Sequence, residues 1–538
     1  MRYWLALVAG MVSLYPVGGA MISAQDRSAP SVSLMAPADG QTLSGTVTVT
    51  AIATDSVRLT GVQFKLDGMN LGAEVRHAPY ALAWNTATTV NGVHRLTAIA
   101  RDAAGNIATA AAVTVVAQNP PIPRGVFNLP PAFTPVPDDV LSNRLVAGIT
   151  VRGQWPRVER LEGVYDWSYF DHELNRAAAA HKSAILRVPA GGRNTPDWVY
   201  AAGVQIFSFI DGNAYDGGYA TTVTIPVFWD PVLLQKKKQL IAVMGQRFGR
   251  HPAVALVAAN CAAALTDDWN VPHTPNDVRN WLAAGYSSEK MIEACTDTID
   301  AMMAAFPRSL VLMAVGQTSN ALDPDPDYVA REVIDYARTT YPGRFIVQKN
   351  SLSAVTRDPT LTADVGSWQT VVDGRPHVAA QMRWPVTNDA TCLMNGLARP
   401  CDLATTLLQA VTIGVNYDTQ YQEIYQEDIR NPALADVIRY AADVLSAPTV
   451  PPGLTAVPAS ATQIKLSWRA STDTVGVVGY RILRDGVQIA MATKPGFRDQ
   501  GLNPSTTYGY RVSAVDAVGN ESPAASVSAT TLKAKPTR

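Results

Sequence analysis

The feature that most constrains this chain is a repeated alternation of short apolar runs and longer amphipathic runs across residues 120–447. Leu145–Val151 reads as a buried strand, Tyr169–His181 as a helix, and Ser183–Val188 as the next strand. The helix Pro231–Phe248 leads into the strand Ala253–Ala259, Ser288–Phe306 into Leu310–Val315, and Tyr328–Thr340 into Arg344–Gln348. His377–Met382 is a strand ahead of the helix Leu403–Ile413, and Gln420–Tyr425 precedes Ala433–Leu445. Such a repeat over about 330 residues calls for parallel strands joined by crossover helices. No Gly-rich phosphate fingerprint opens any of these helices, so the pattern favours a closed (β/α)8 TIM barrel over a doubly wound nucleotide-binding sheet.

The flanks read differently. Residues 31–118 carry alternating runs such as Val47–Thr50 and Gly61–Leu66, separated by the turn pairs Asp67-Gly68 and Asn91-Gly92. Residues 449–532 repeat this after the Pro-rich junction Pro448–Pro452, with Ile464–Trp468 and Gly479–Arg484 followed by Asp485-Gly486. Short strands at this spacing predict a β-sandwich in each segment. The first segment resembles bacterial immunoglobulin-like modules, most clearly in its closing stretch Ala100–Asn106. The second resembles a fibronectin type III domain, on Pro451-Pro452-Gly453-Leu454, Trp468, Gly479-Tyr480 and Leu502–Tyr508. Asp516-Ala517-Val518-Gly519-Asn520 echoes Asp102-Ala103-Ala104-Gly105-Asn106. The expected architecture is multidomain: a central barrel flanked by two β-sandwiches that serve as spacers or attachment modules.

Location follows from the first residues. Met1-Arg2, an apolar stretch from Trp4 to Val17 and small residues up to Ala24 make residues 1–24 read as a signal peptide, cleaved after Ala20 or Ala24. The run is short for a membrane span, so the protein is expected to be secreted, periplasmic or on the cell surface, with no span after cleavage. With 44 basic and 45 acidic side chains, the formal charge of −1 argues against a nucleic-acid partner. Export permits disulfides, and Cys392 with Cys401 and Cys261 with Cys295 are the expected pairs. No zinc spacing or cofactor motif occurs, so neither a metal nor a cofactor is expected.

In a barrel the chemistry sits just after the C-terminal ends of the strands. Those positions hold Arg152, Gln154 and Trp155; Arg193, Asp197 and Trp198; Asp211, Asn213, Tyr215 and Trp229. They continue with Asn260-Cys261, then Thr266-Asp267-Asp268-Trp269-Asn270, Gln317, Asn350, Gln381, Arg383, Trp384, Glu423, Tyr425 and Glu427. Tryptophan faces cover the apolar faces of sugar rings, while amides and carboxylates bond their hydroxyls. The expected substrate-binding set is Arg152, Trp155, Trp198, Trp229, Asn260, Trp269, Asn350, Gln381, Trp384 and Tyr425. The expected partner is therefore a carbohydrate.

Gly153–Glu159 with Glu162–Asp171, and Thr195–Val199, resemble the first- and second-strand segments of retaining barrel glycosidases of the β-galactosidase type. That resemblance implies an acid/base in an Asn-Glu pair ending strand four and a nucleophilic Glu ending strand seven. Here strand four ends in Asn260-Cys261 and strand seven in Gln381-Met382-Arg383-Trp384. Two carboxyls about 5–5.5 Å or 6.5–9.5 Å apart are needed for glycoside cleavage. Asp267 or Asp268 is the candidate acid. Glu423 is the candidate nucleophile or base, because alternation places Tyr421, Glu423 and Tyr425 on one strand face. A structural pairing of Glu423 with Arg383 is the competing role. The expected function is a secreted glycoside hydrolase; the alternatives are a non-catalytic carbohydrate-binding barrel and a cell-surface adhesion protein.

Overall fold

The computed structural model describes residues 26–534 apart from 87–88, 90, 212–219, 266–268, 270–273, 316–326, 376, 390–391, 397–400, 474 and 518. Eight parallel strands close into a barrel: β1 Gly125–Leu129, β2 Val146–Arg152, β3 Ser183–Arg187, β4 Val254–Ala258, β5 Leu310–Ala314, β6 Phe345–Leu352, β7 Val378–Met382 and β8 Tyr421–Tyr425. Helices pack outside them, among them α1 Ser168–Ala179, α2 Pro231–Phe248, α3 Pro275–Ala283, α4 Ser288–Ala305, α5 Tyr328–Thr340, α6 Leu403–Asn416 and α7 Ala435–Leu445. The strands are mostly buried and apolar toward their N-terminal ends, as in the fully buried Leu310–Ala314, because helices cover one face and the barrel interior the other.

β1 corrects the strand count drawn from the sequence. Leu145–Val151 is the second barrel strand, not the first, and Ser183–Val188 is the third. Pro120, Pro121, Pro123, Pro130 and Pro131 bracket the five residues of β1, leaving a run too short to announce a strand. The strand occupies the gap these prolines leave, where every backbone N–H is free to join the ladder. It pairs with both β2 and β8 and closes the barrel. The long connection after β3 adds a separate antiparallel hairpin, Ile206–Ile210 with Thr222–Pro226.

Local chemistry sets the helix ends. Asp230 accepts from the backbone N–H groups of Val232 and Leu233 at 2.9 Å, and Pro231 opens α2 with a fixed φ. Gly245 lets α2 approach α4 closely: a Cβ there would stand 2.6 Å from the Ala305 methyl. Inside the barrel, Phe127, Ile185, Leu256, Leu310, Leu312, Ile346, Ala379 and Tyr421 fill the lower layers. Disulfides join Cys261 to Cys295, tying the end of β4 to α4, and Cys392 to Cys401.

The two sandwiches each bury one tryptophan, Trp84 and Trp468, between their sheets. Both touch the N-terminal end of the barrel. Arg124, just ahead of β1, donates to Asn520 at 3.2 Å, and Gly45 lies against Arg344 ahead of β6. They also touch each other, with Met69 seated on Gly509. The opposite end, where the strands terminate, is left to the loops.

Candidate active site at the barrel mouth

The upper barrel layer is polar. The inward-facing positions are Thr150 on β2, Arg187 on β3, Gln348 on β6, Gln381 on β7 and Glu423 on β8. Glu423 has no accessible surface and Arg187 is 3% exposed. Glu423 Oε2 accepts from Arg187 Nη2 at 2.9 Å and from Gln348 Nε2 at 2.6 Å, while Oε1 accepts from the Thr150 hydroxyl. Arg187 Nη1 also donates to Gln381 Oε1 at 3.1 Å, and Gln381 is the ladder partner of Glu423. Tyr421 donates to Gln348 Oε1 at 2.7 Å. Burial, and then the charge of Glu423, push the Tyr421 phenol well above its usual range, so it stays a donor.

Arg383 does not pair with Glu423. β7 ends at Met382, and Arg383 turns out to solvent. Arg187 takes that role, and charge-assisted bonds of this kind are the strong ones in a dry interior. The anion is thereby held at the centre of the strand ends.

Above this layer lie the more accessible groups. Arg152, Asn350, Trp384 and Tyr425 are half-buried at strand ends or just beyond, and Gln381 and Asn260 are nearly closed off. Trp198 is also half-buried; its indole N–H donates to the Glu159 carbonyl at 3.0 Å, and Lys236 lies over its ring. Trp229 packs on Trp281 and Tyr286 at the base of the hairpin. Trp155 has no exposed face: its N–H is bound to Glu159 Oε2 at 2.7 Å and its ring meets Trp198 edge to face. Trp269 is 2% exposed and bridges to Val315. Both are packing residues in this structure, which corrects their reading as sugar platforms. Trp155 is enclosed by Glu159 and Trp198, and Trp269 is drawn in by its bridge beyond the end of β5. Asp267 and Asp268 lie outside the described residues, as do Thr266, Asn270, Asn213, Tyr215 and Gln317.

Cys261, which stands where the resemblance places a glutamate, is committed to the disulfide with Cys295. Behind it, Lys237 of α2 is 4% exposed and donates to the Asn260 and Cys261 carbonyls. Burial pushes its ammonium down to about 7. The β3 and β4 loops are joined across the mouth, with the Arg193 N–H bonded to the Ala264 carbonyl at 2.9 Å. Gly192 makes this possible: its φ is +55°, and a Cβ would stand 2.0 Å from the Ala263 carbonyl oxygen. Arg193 then reaches Asp211, which is fully buried, at 2.6 Å. On the far side, Asp428 accepts from the Val386 and Thr387 N–H groups and holds the loop carrying Trp384. Burial raises its carboxyl above the usual range despite those bonds.

The sequence reading missed Thr150, Arg187 and Gln348. Thr150 and Gln348 precede the named Arg152 and Asn350 by two residues, so continuing the strand alternation one step into the barrel would have found them. Arg187 is the last residue of its strand, whereas the strand-end rule points to the residues that follow.

Residues 30–98 match a family model described as a bacterial Ig domain. Residues 148–299 match one described as Beta-galactosidase. Exoglucanase B of Cellulomonas fimi is 38% identical over 128 residues, 23% of this chain and 12% of that protein. Chitinase Chi52 of Paenibacillus xylanexedens is 47% identical over 85 residues, 16% of each. The chain thus spans less than a fifth of the length of these relatives. Among solved structures, the fibronectin(III)-like modules of Clostridium thermocellum CbhA are 30% identical, covering 16% of this chain and 96% of theirs, with a TM-score of 0.15. A β-galactosidase from the psychrophilic Marinomonas ef1 is 12% identical, covering 61% of this chain and 63% of its own, with a TM-score of 0.39. Among the described residues, no helix is long and apolar enough to cross a membrane.

Proposed function

We propose that this protein is an exported glycoside hydrolase, with a signal peptide at residues 1–24 and a catalytic barrel at 120–447 between sandwiches at 31–118 and 449–532. The observation that carries this reading is Glu423, an anion clamped by Arg187, Gln348 and Thr150 at the centre of the polar layer. It stands beside Gln381 in register, one strand from the position where the glycosidase resemblance places its nucleophile. A carboxylate held by a guanidinium, an amide and a hydroxyl is fixed in one position, as a nucleophile or base requires. Asp267 or Asp268, on the loop after β4, supplies the acid. Arg152, Asn350, Trp384 and Tyr425 bind the sugar from the rim. The match of residues 148–299 to the Beta-galactosidase model supports the substrate class.

The complete burial of Glu423 favours a second reading, a barrel that binds glycans without cleaving them. One experiment separates the two. The full chain, Glu423→Gln and Asp267→Asn/Asp268→Asn are assayed on aryl glycosides and oligosaccharides, with glycan binding measured in parallel. Hydrolysis by the full chain that falls about 10²–10⁴-fold in both variants is expected for acid/base chemistry. Binding without hydrolysis in all three proteins would establish the second reading instead. Undiminished hydrolysis in the variants would overturn the assignment of these carboxylates.

A further inference from the structure

The repeated Asp-x-x-Gly-Asn loop builds the same hydrogen-bonded clamp in both sandwiches. The Asn106 and Asn520 backbone N–H groups donate to Oδ1 of Asp102 and Asp516, at 2.8 and 2.7 Å. Each side-chain amide then donates to the other oxygen of the same aspartate, at 2.7 and 2.9 Å. It also holds two carbonyls of the chain arriving at the sandwich. These are Asp26 and Ser28 for Asn106, and Val444 and Ser446 for Asn520.

The two copies differ in charge. In the second, the Arg124 guanidinium donates to Asn520 Oδ1 and adds positive charge beside Asp516 and Glu521. In the first, Asp26 and Asp55 join Asp102, with one oxygen from each within 4.8 Å of the others. Asp26 Oδ1 accepts from the Ser28 N–H, and Asp55 Oδ2 from the Val57 and Arg58 N–H groups. The remaining oxygens, Asp26 Oδ2 and Asp55 Oδ1, are sealed from solvent and have no donor among the described residues. Asp102 is 2% exposed, and among the described residues none of the three has a Lys or Arg partner. Buried anionic oxygens without donors are costly unless a cation is present.

We infer that Asp26, Asp55 and Asp102 form a calcium site at the end of the first sandwich. All the ligand atoms are hard oxygens, which suit Ca²⁺ and exclude a preference for soft metals. Ligands on opposite sides of a Ca²⁺ at 2.3–2.6 Å stand about 4.6–5.2 Å apart, a span that matches the 4.8 Å within which the three carboxylate oxygens lie. Mg²⁺ demands near-ideal octahedral geometry at 2.0–2.1 Å and gives up its waters reluctantly, so an all-carboxylate cluster suits it less. The ion ties the segment ahead of the first strand, Ser31–Ala36, to the turn following Thr46–Thr54 and to the Asp102 loop. The site lies outside the barrel and does not depend on glycoside hydrolysis.

The test is calcium binding by the full chain after EDTA treatment, using equilibrium dialysis with CaCl₂, and with MgCl₂ as the comparison. One Ca²⁺ per chain with a Kd of about 10⁻⁴–10⁻³ M is expected, the range of extracellular modules. Mg²⁺ should bind at least about 10-fold more weakly. Asp26→Asn and Asp55→Asn should each weaken Ca²⁺ binding at least about 10-fold, because each removes one anionic ligand. Both should melt in EDTA no lower than the native chain, since each also relieves repulsion; that control separates lost binding from misfolding. Absence of binding up to 10 mM CaCl₂, or equal binding in both variants, would overturn the assignment.

Discussion

Replacing Arg187 with methionine tests whether the centre of the mouth is an electrostatic unit. The substitution keeps much of the apolar stem and removes the charge that lies 2.9 Å from Glu423 and 3.1 Å from Gln381. Both partners of the ion pair are sealed, at 3% and 0% exposure, so water cannot replace the lost bonds. At an effective dielectric of 20 and charge centres about 4 Å apart, the lost attraction is about 4 kcal/mol, and breaking buried pairs costs about 3–5 kcal/mol. The assay is urea unfolding followed by tryptophan fluorescence, which reports on the barrel because eight of the eleven tryptophans lie within 120–447. The midpoint should fall with an unchanged slope. Arg187→Met/Glu423→Gln should recover most of the loss, since it leaves no uncompensated charge. A single-variant cost below about 1 kcal/mol, or a double variant as unstable as the single, would refute the idea that this pair organises the layer.

Three further outcomes are expected. Trp155→Ala should cost about 3–5 kcal/mol in the same unfolding assay, whereas Trp384→Ala should weaken glycan binding with little change in stability; equal effects on both readouts would contradict the placement of the two rings. Lys237→Met should be more stable than the native chain below pH 7 by up to about 5 kcal/mol, the carbonyl contacts reducing that ceiling. Its folded-state value of about 7 lies below the ordinary 10.5, so the native chain should recover stability between pH 7 and 10.5, and urea midpoints across that window check the sign. Removing the bridge Cys261–Cys295, which spans 34 residues, should cost about 4 kcal/mol, against about 3 kcal/mol for Cys392–Cys401, which spans 9, as read from melting of the paired Ser variants.

Much of this fold was legible in the sequence because periodicity is a local property. Strand and helix runs from Leu145 to Leu445 announced a barrel, and Asp67-Gly68 and Asp485-Gly486 announced hairpins. β1 escaped because prolines on both sides mask five residues whose only strand evidence is the neighbours they pair with. The inward face Tyr421, Glu423 and Tyr425 was readable, since alternation fixes which side chains share a face.

By itself the sequence determined the layers, the sandwiches and the carboxylate at the centre of β8. Those depend on spacing along one chain, and spacing is what a sequence contains. Tertiary structure decided the partners. Arg187 and Glu423 are separated by 236 residues and Gln348 and Glu423 by 75, and only closure of the barrel brings them within bonding distance. It also decided which tryptophans face solvent, burying Trp155 while leaving Trp384 at the rim, because exposure depends on which loops cross above. The convergence of Asp26, Asp55 and Asp102 has the same origin: a residue ahead of the first strand, one in a turn and one at a strand end become one anionic cluster when segments far apart in sequence meet at the same pole.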